Sequence, residues 1–388
     1  MDASSKASDP RLAVQGFKPV SSPVLTTAII VNEPEDSALE IASLTVLDRL
    51  VISLSRAGVD RILVVGGPLP RLARATAMGL EIEFVDRPPS VAGEVLIASG
   101  NVLSTSADLR EVIMRRGRLV ARDGQRLPLG IIDRFSGDWR SRLDQACEIK
   151  ARDLAALVTR DSAHRIEQAY WASLTSSSDG WVDRHFNRPI GRLLSKQLVS
   201  SPITPNQVSL AATLVGLAAA WLFAVGTPAT AVAGAVVLQG SAVLDCVDGD
   251  LARALYKQSS VGKWLDIVGD QIVHIGVFLG IGIGLWRSGS AAPVLVLGSV
   301  AAAGVVLSFL VVLRPLLKPR LRGRGRLQKL IDSATNRDFS VLLLLFAAFG
   351  RLDWFLWLAA AGSHVFWLAA AGLQFQESRN TQDHEEIA

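Results

Sequence analysis

Eight residues in the C-terminal half of the chain form a dense polar pattern within the stretch LDCVDGDLARALYKQSSVGKWLDIVGDQIVH. The pattern reads D-x2-D-G-x2-A-R-x8-G-x3-D-x3-D, and its members are Asp245, Asp248, Gly249, Ala252, Arg253, Gly262, Asp266 and Asp270. Apolar runs long enough to cross a bilayer flank it on both sides. A single carboxylate at the bilayer centre costs roughly 2.5–3.5 kcal/mol on insertion scales. Four carboxylates in such a place therefore indicate a functional site, and their grouping indicates a bound cation.

The spacing of the acids predicts what they do. Asp245 and Asp248 share one face of a helix, and Asp266 and Asp270 share a face of the next helix. Carboxylates suit hard cations such as Mg²⁺, Mn²⁺ or Ca²⁺, and paired divalent cations beside a phosphate are typical of phosphoryl-transfer sites. Arg253 has a planar guanidinium that fits a phosphate. An acid beside the metals is also a candidate general base.

Other readings of the pattern remain open. Salt-bridged acids at a helix–helix turn are one alternative, but four acids against one arginine leave an excess of negative charge that requires a cation. A second is a catalytically inactive membrane scaffold or lipid-binding protein. A third is a secondary transporter, a class that tends to show inverted repeats and broken helices. No convincing repeat is visible in this sequence.

Composition divides the 388-residue chain into two parts. Residues 1–200 are charged, whereas residues 205–375 are dominated by Ala, Leu, Val and Gly. The formal net charge of +4 gives no strong case for a nucleic-acid partner. Cys147 and Cys246 lie far apart, and the second lies inside the acidic pattern, so no structural disulfide is expected. The polar N-terminus shows no secretory signal, which predicts a cytosolic N-terminal half.

The predicted fold class is a soluble α/β N-terminal domain followed by an all-α six-helix transmembrane domain. Short β-like runs alternate with helical ones from residue 25, a rhythm typical of an α/β domain with a largely parallel, Rossmann-like sheet. The predicted parts are a flexible tail (1–22), a cytosolic α/β domain (23–150), a connector (151–204), a six-span domain (205–375) and a cytosolic tail (376–388).

The connector contains a candidate amphipathic helix. Trp181, Phe186 and several leucines alternate there with basic residues, a pattern typical of a helix lying at a membrane surface. An ordinary surface helix is the alternative. The predicted polar face consists of Arg184, Arg188, Arg192 and Lys196.

Six apolar segments follow, and a span needs roughly 20 residues to cross a bilayer core of about 30 Å. They are 206–225, 229–244, 264–286, 292–317, 339–349 and 354–373, of which the fifth is short. The loop between the fourth and fifth is strongly basic (314–337), whereas the loop 287–291 has one basic residue. The positive-inside rule then predicts that both termini and the acidic pattern face the cytosol.

The eight residues match, without a departure, the motif of the CDP-alcohol phosphotransferase family of integral membrane enzymes, and the resemblance covers roughly residues 180–375. It implies a six-helix membrane domain, usually a homodimer, that binds two divalent cations, Mg²⁺ or Mn²⁺. It also implies attack of an alcohol hydroxyl on the β-phosphate of a CDP-linked donor, CDP-diacylglycerol or a CDP-polyol, with release of CMP.

The resemblance also implies roles for individual residues. Asp245, Asp248 and Asp266 resemble the metal ligands, and Asp270 resembles the general base, which also touches the second metal. The residues on the nucleotide side are Asn206, Asp248, Gly249, Ala252, Arg253 and Gly262.

The acceptor is less well defined by the sequence. The run DGWVDRHFNRPIGRLL resembles the branch of the family that uses inositol phosphate. Basic residues at the cytosolic mouth could hold an acceptor phosphate, although for any one of them positive-inside topology or contact with lipid headgroups is the stronger explanation. These candidates are Arg192, Lys196, Arg314, Lys318 and Arg337.

The N-terminal domain resembles sugar-nucleotide transferases in its opening strand and helix, TTAIIV and LTVLDRLVISLSRAG. In that family a glycine-rich loop with basic residues holds the triphosphate. The corresponding loop here, NEPEDSALEIAS, has no glycine, arginine or lysine and has four acids. Asn101 stands where the family has a metal-binding aspartate. We therefore expect a degenerate nucleotidyltransferase-like domain that makes no CDP-alcohol; an unrelated α/β domain is the alternative.

Overall fold

A computed structural model describes residues 27–387, apart from residues 69, 88–92, 136–137, 176–178 and 318–338. The chain separates into two compact units, and the boundary between them lies between Ala169 and Tyr170.

The first unit is built on a seven-stranded sheet with the order β10-β8-β9-β6-β1-β4-β5. Strands β5, β4, β1 and β6 run parallel to one another, whereas β9 lies antiparallel between β6 and β8. The strands are β1 Thr27–Val31, β2 Glu40–Ile41, β3 Leu44–Thr45, β4 Arg61–Val65, β5 Ile82–Val85, β6 Val95–Ser99, β7 Val102–Leu103, β8 Arg118–Val120, β9 Arg126–Ile132, β10 Glu148–Lys150 and β11 Ala156–Leu157.

The parallel-rich sheet confirms the predicted α/β class. The central strands are almost continuously apolar because both faces are covered, as expected of parallel strands; Ile29, Leu63 and Ile97 are fully buried. Six helices accompany the sheet: α1 Pro34–Ser37, α2 Val46–Ala57, α3 Ala73–Ala77, α4 Ser106–Arg115, α5 Trp139–Leu143 and α6 Ala163–Ser173.

The contacts of the first unit extend beyond residue 150, where the sequence analysis ended the domain. Strand β11 pairs with β7, and the Glu167 side chain on α6 accepts a hydrogen bond of 3.0 Å from the Ala42 backbone N–H. The segment just after residue 150 therefore belongs to this unit.

The second unit is helical among its described residues. After a π-helical segment, Asp183–Asn187, its helices are α7 Arg188–Leu198, α8 Pro205–Val225, α9 Pro228–Ala254, α10 Ser260–Arg287, α11 Val294–Leu317, α12 Phe339–Ala348 and α13 Leu352–Ile387. Five of these, all but α7 and α12, have the length and composition to cross a membrane. Helix α12 is apolar but has 10 residues. Helix α13 continues through residues that the sequence assigned to a tail.

Local sequence determines where the helices around the acidic pattern begin. Thr204 and Thr227 cap α8 and α9 with capping boxes, each followed by a proline in the first turn, the position where a missing N–H does no harm. Ser259 caps α10 by accepting a hydrogen bond from Gly262 N–H at 3.0 Å. The short turn from Leu255 to Ser259 links the end of α9 to the start of α10, and both helices pack against α8.

Candidate metal and nucleotide site

Three carboxylates from two adjacent helices converge near this turn. Asp245 and Asp248 lie in the last turns of α9, and Asp266 lies in the second turn of α10. One oxygen from each lies within 4.8 Å of the others. The Oδ1 atom of Asp266 is buried and has no hydrogen-bond partner among the described residues.

Asp270 opens on the same small pocket as Asp245 and Asp266. The other lining residues are small or apolar: Ser209, Ala212, Thr213, Ser241 and Val273. The serine and threonine hydroxyls are oriented by the protein itself. Ser209 donates to the Asp248 carboxylate, and Ser241 donates to the Ala212 carbonyl at 2.8 Å.

The chemistry of this donor set fits divalent cations. Carboxylates this close repel one another when all are ionised. A buried acceptor without a donor is a group that native proteins rarely leave unpaired. A hard cation removes both problems because it neutralises the acids and takes oxygen ligands.

Arg253 is fixed at the edge of this site by its own helix. Its Nη2 donates to Oδ1 of Asp250 at 2.8 Å, one turn earlier. A Cβ on Gly249 would lie 3.1 Å from Nη1 and 3.2 Å from Nη2 of the same guanidinium. Because Gly249 has no side chain, the Arg253 guanidinium can occupy this space.

A second arginine meets the same carboxylate. Arg188, at the start of α7, donates from Nη1 to Asp250 Oδ1 at 2.7 Å, and from Nε and Nη2 to Asp179 at 2.9 and 2.7 Å. Burial alone would lower the pKa of this guanidinium, but the Asp179 hydrogen bonds and nearby negative charges raise it above its ordinary value. The assignment of Arg188 to a solvent-facing polar surface was wrong: the side chain is 7% exposed, because two carboxylates hold it inside.

Two residues predicted on the nucleotide side are in contact. A Cβ on Gly262 would lie 2.6 Å from the Asn206 side-chain oxygen, so a larger residue there would displace the Asn206 side chain. Asn206, Gly249, Arg253 and Gly262 thus lie on the three helices that also carry the acids and Ser209. Ala252 lies between Gly249 and Arg253 on α9 and is half-buried.

Of the residues predicted to hold the acceptor phosphate, those that the structure describes lie on different elements of the second unit. Arg192 and Lys196 lie one turn apart on α7, the first half-buried and the second exposed. Arg192 donates to the Ala172 carbonyl at 3.3 Å. Arg314 lies near the end of α11, whereas Lys318 and Arg337 lie outside the described residues. The structure therefore does not test them as a group.

Exposed apolar residues follow one side of the α7 region. Trp181, Phe186, Ile190 and Leu193 are between 38% and 68% exposed. Their spacing of three to five residues is the pattern expected of a helix at a membrane surface.

In the first unit, the ends of the parallel strands β1 and β6 lead to two buried asparagines. Asn32 accepts from Ser37 Oγ at 2.6 Å and donates to the Pro68 carbonyl at 3.1 Å. Asn101 accepts from Ser99 Oγ at 2.7 Å and donates to the Val158 carbonyl at 3.1 Å. Open α/β sheets bind ligands at this edge. Here the two asparagine side chains at the edge are hydrogen-bonded to other groups of the same protein.

Three residues of the candidate site were not recognised from the sequence: Asp250, Asp179 and Ser209. Asp250 could have been recognised from the sequence, since it is a fifth acid, next to Gly249 and one helical turn before Arg253. Asp179 and Ser209 carried no such signal, because Asp179 lies outside the acidic pattern and Ser209 contacts Asp248 from a segment distant in the sequence.

Comparison with known proteins supports the reading of the second unit. Residues 202–372 match the family model described as CDP-alcohol phosphatidyltransferase. The bifunctional IPC transferase and DIPP synthase of Thermococcus kodakarensis is 37% identical over 109 residues, 28% of this chain and 24% of that protein. The same-named protein of Aquifex aeolicus is 34% identical over 115 residues, 30% of this chain and 26% of that protein. The match therefore spans about a quarter of the length of these relatives.

Two further proteins have related descriptions. The archaetidylinositol phosphate synthase of Pyrococcus horikoshii is 35% identical over 97 residues, 25% of this chain and 50% of that protein. A crystal structure of Mycobacterium tuberculosis phosphatidylinositol phosphate synthase, with manganese and citrate, covers 47% of this chain and 88% of that one, with 21% identity and a TM-score of 0.39. The family match, over the helices that carry the acidic site, identifies a CDP-alcohol phosphatidyltransferase domain in this chain.

Proposed function

We propose that this chain is a membrane CDP-alcohol phosphotransferase, which transfers a substituted phosphate from a CDP-linked donor to an alcohol acceptor and releases CMP. The observation that carries the proposal is the convergence of the Asp245, Asp248 and Asp266 carboxylates within 4.8 Å, on helices long enough to cross a membrane. Such a cluster needs cations, and Arg253 beside it suits a phosphate.

Four residues are proposed to hold two divalent cations: Asp245, Asp248, Asp266 and Asp270. Ser209 orients the Asp248 carboxylate by donating to it. When bound, Mg²⁺ or Mn²⁺ would neutralise the charge of the donor pyrophosphate.

In the proposed reaction Asp270 takes the proton from the acceptor hydroxyl as that oxygen attacks the β-phosphorus of the donor. The bond from the β-phosphorus to the bridging oxygen breaks, and CMP leaves with that oxygen. Asp270 suits this role because it lines the same pocket as the metal ligands. Arg253 is proposed to hydrogen-bond to the phosphate, while Gly249, Ala252, Gly262 and Asn206 shape the nucleotide side.

For the donor we propose CDP-diacylglycerol or a CDP-polyol, and for the acceptor an inositol phosphate. The names of the curated relatives support this choice. Arg192 and Lys196 are proposed contacts for the acceptor phosphate because they lie one turn apart on α7. Arg314, Lys318 and Arg337 complete this proposed set.

We also propose a six-helix membrane domain, with α12 as the sixth helix, and a homodimeric assembly. The acids lie in the C-terminal half of α9 and the N-terminal half of α10, so they are displaced from the membrane centre towards one surface. The basic segment 314–337 favours the cytosol as the side on which this surface and both termini lie.

The N-terminal unit is proposed to be a degenerate nucleotidyltransferase-like domain. In place of a phosphate-binding loop it has the short helix α1 with Glu35 and Asp36 in its first turn. The internal hydrogen bonds of Asn32 and Asn101 support loss of nucleotide binding, because a ligand would have to displace them.

The decisive experiment measures CMP release by the purified full-length protein. CDP-diacylglycerol and CDP-inositol are each offered with a panel of polyols and polyol phosphates, with Mg²⁺ or Mn²⁺, and products are identified by mass spectrometry. We expect metal-dependent CMP release with at least one pair. Absence of CMP from every pair would instead favour the catalytically inactive scaffold or lipid-binding protein.

A further inference from the structure

We propose that Asp250, itself held by Arg188, is a positioning residue that directs Arg253 towards the phosphate of the CDP-linked donor. This inference rests on the proposed function, because it assumes that Arg253 meets a phosphate. The residue is not one of the eight of the pattern, and its role follows from its contacts alone.

Asp250 is suited to this task by its burial. It is 0% exposed, and its Oδ1 accepts from Arg188 at 2.7 Å and from Arg253 at 2.8 Å. Arg188 is in turn held by two hydrogen bonds to Asp179. The resulting chain, Asp179–Arg188–Asp250–Arg253, contains two positive and two negative groups, so it is neutral and fixed at its buried end.

Arg253 is the last residue of this hydrogen-bonded series and the more exposed end of it. Its side chain is 30% exposed, and within the described part of the sequence Asp250 is its hydrogen-bond partner. Gly249 lies against the same guanidinium, where a Cβ would be 3.1 Å from Nη1 and 3.2 Å from Nη2. One Nη2 bond therefore anchors the group, and the N–H groups of Nη1 stay available for an anion.

Without Asp250, nothing comparable would hold this side chain in place. Arginine has high rotamer freedom, and several carboxylates of the acidic cluster lie on the same helix and the next one. An unanchored guanidinium would be drawn to those carboxylates, where it would compete with cations and turn away from the donor. Asp250 prevents this because its own charge already satisfies Arg253.

The first test measures the affinity of the full-length protein for CDP in the presence of Mg²⁺. Asp250→Asn should raise the dissociation constant for CDP by about ten- to a hundredfold, the range expected when a charge-assisted hydrogen bond is lost. It should also raise KM for the donor more than it lowers kcat. Asp183→Asn is the matched control, because Asp183 is also buried but accepts its hydrogen bond from Asn187, at 2.7 Å. The control should keep the wild-type affinity.

The second test asks whether Asp250 acts through Arg253. Arg253→Lys keeps the charge but loses the planar group, so it should weaken CDP binding by itself. If Asp250 only positions Arg253, adding Asp250→Asn to Arg253→Lys should cause little further loss. Losses that multiply in the double variant would overturn the inference.

A third variant guards against misfolding. Asp250→Glu keeps both ion pairs within reach and should fold even if Asp250→Asn does not; it should bind CDP more weakly than wild type because the carboxylate is displaced. Wild-type affinity in Asp250→Glu and Asp250→Asn would overturn the inference while leaving the proposed function intact. A wild-type protein that neither binds CDP nor releases CMP would refute the proposed function itself.

Discussion

Each unit contains a buried polar cluster at a place where its fold would bind a ligand, and the two clusters differ in how their atoms are paired. At the strand ends of the first unit, Asn32 and Asn101 donate to carbonyls and accept from serines of the same chain. In the second unit, carboxylates face one another and Asp266 Oδ1 is buried without a partner among the described residues. Buried polar atoms in native proteins are normally satisfied, so the second cluster indicates a ligand and the first does not.

The largest effect is expected from Asp270→Asn. The amide cannot accept a proton, so CMP release should fall by about 10²- to 10⁴-fold, the usual contribution of a general base. Nucleotide affinity should fall far less than turnover, because the substitution is isosteric and Asp245, Asp248 and Asp266 remain as proposed metal ligands. Turnover of the donor and CDP affinity are measured in parallel, with Asp353→Asn as a control acid in α13. Wild-type turnover in the Asp270 variant would exclude it as the base.

A smaller effect, on stability, is expected from Asp266→Asn. Without added metal the variant should be at least as stable as wild type, since it removes one of several repelling charges. Mn²⁺ at 100 times its dissociation constant should stabilise the wild type by about 2.7 kcal/mol, and the variant should lose most of this gain. Thermal unfolding in detergent with EDTA or Mn²⁺ measures both. An equal Mn²⁺ response in variant and wild type would contradict the metal assignment.

The reverse experiment introduces an acid into the satisfied cluster. Asn101→Asp removes the donor to Val158 and places a carboxylate near Asp36, whose Oδ2 lies 3.4 Å from the present amide. We expect about 1–3 kcal/mol of local destabilisation, seen as faster hydrogen exchange in β6, and no gain of CTP affinity. Adding Asp36→Asn to this variant should recover part of the protection of β6 from hydrogen exchange. If Asn101→Asp bound CTP without loss of protection, the domain would not be degenerate in the way proposed.

The smallest effect is expected from removal of the first unit. If residues 1–169 take no part in the chemistry, CMP release from a supplied donor should stay within about threefold of wild type, a change in barrier below about 1 kcal/mol. The comparison is a shorter deletion of residues 1–150, which leaves β11 without its partner β7 and should give less folded protein. Collapse of CMP release in a folded, membrane-inserted 170–388 variant would argue against an inert first unit.

The acidic site was largely predictable because its residues lie on two consecutive helices. Helical periodicity places Asp245 with Asp248 and Asp266 with Asp270, and a short turn brings the two pairs together. The central strands of the first unit were predictable for a similar reason, since each is a short apolar run that ends at glycine or a polar residue. Strand β9 was not recognised from the sequence, because Pro128 interrupts its apolar pattern.

By itself, the sequence determined the class of the chemistry. Four carboxylates, an arginine and glycines at fixed spacing beside long apolar segments predict a cation and phosphate site, because residue type and helical period suffice for that prediction. Only the tertiary structure decided which charges are satisfied. Arg188 was predicted to lie at the surface but is buried between Asp179 and Asp250, and the asparagines of the first unit are bonded to distant carbonyls. Pairing of this kind depends on contacts between segments far apart in the chain, which local periodicity cannot encode.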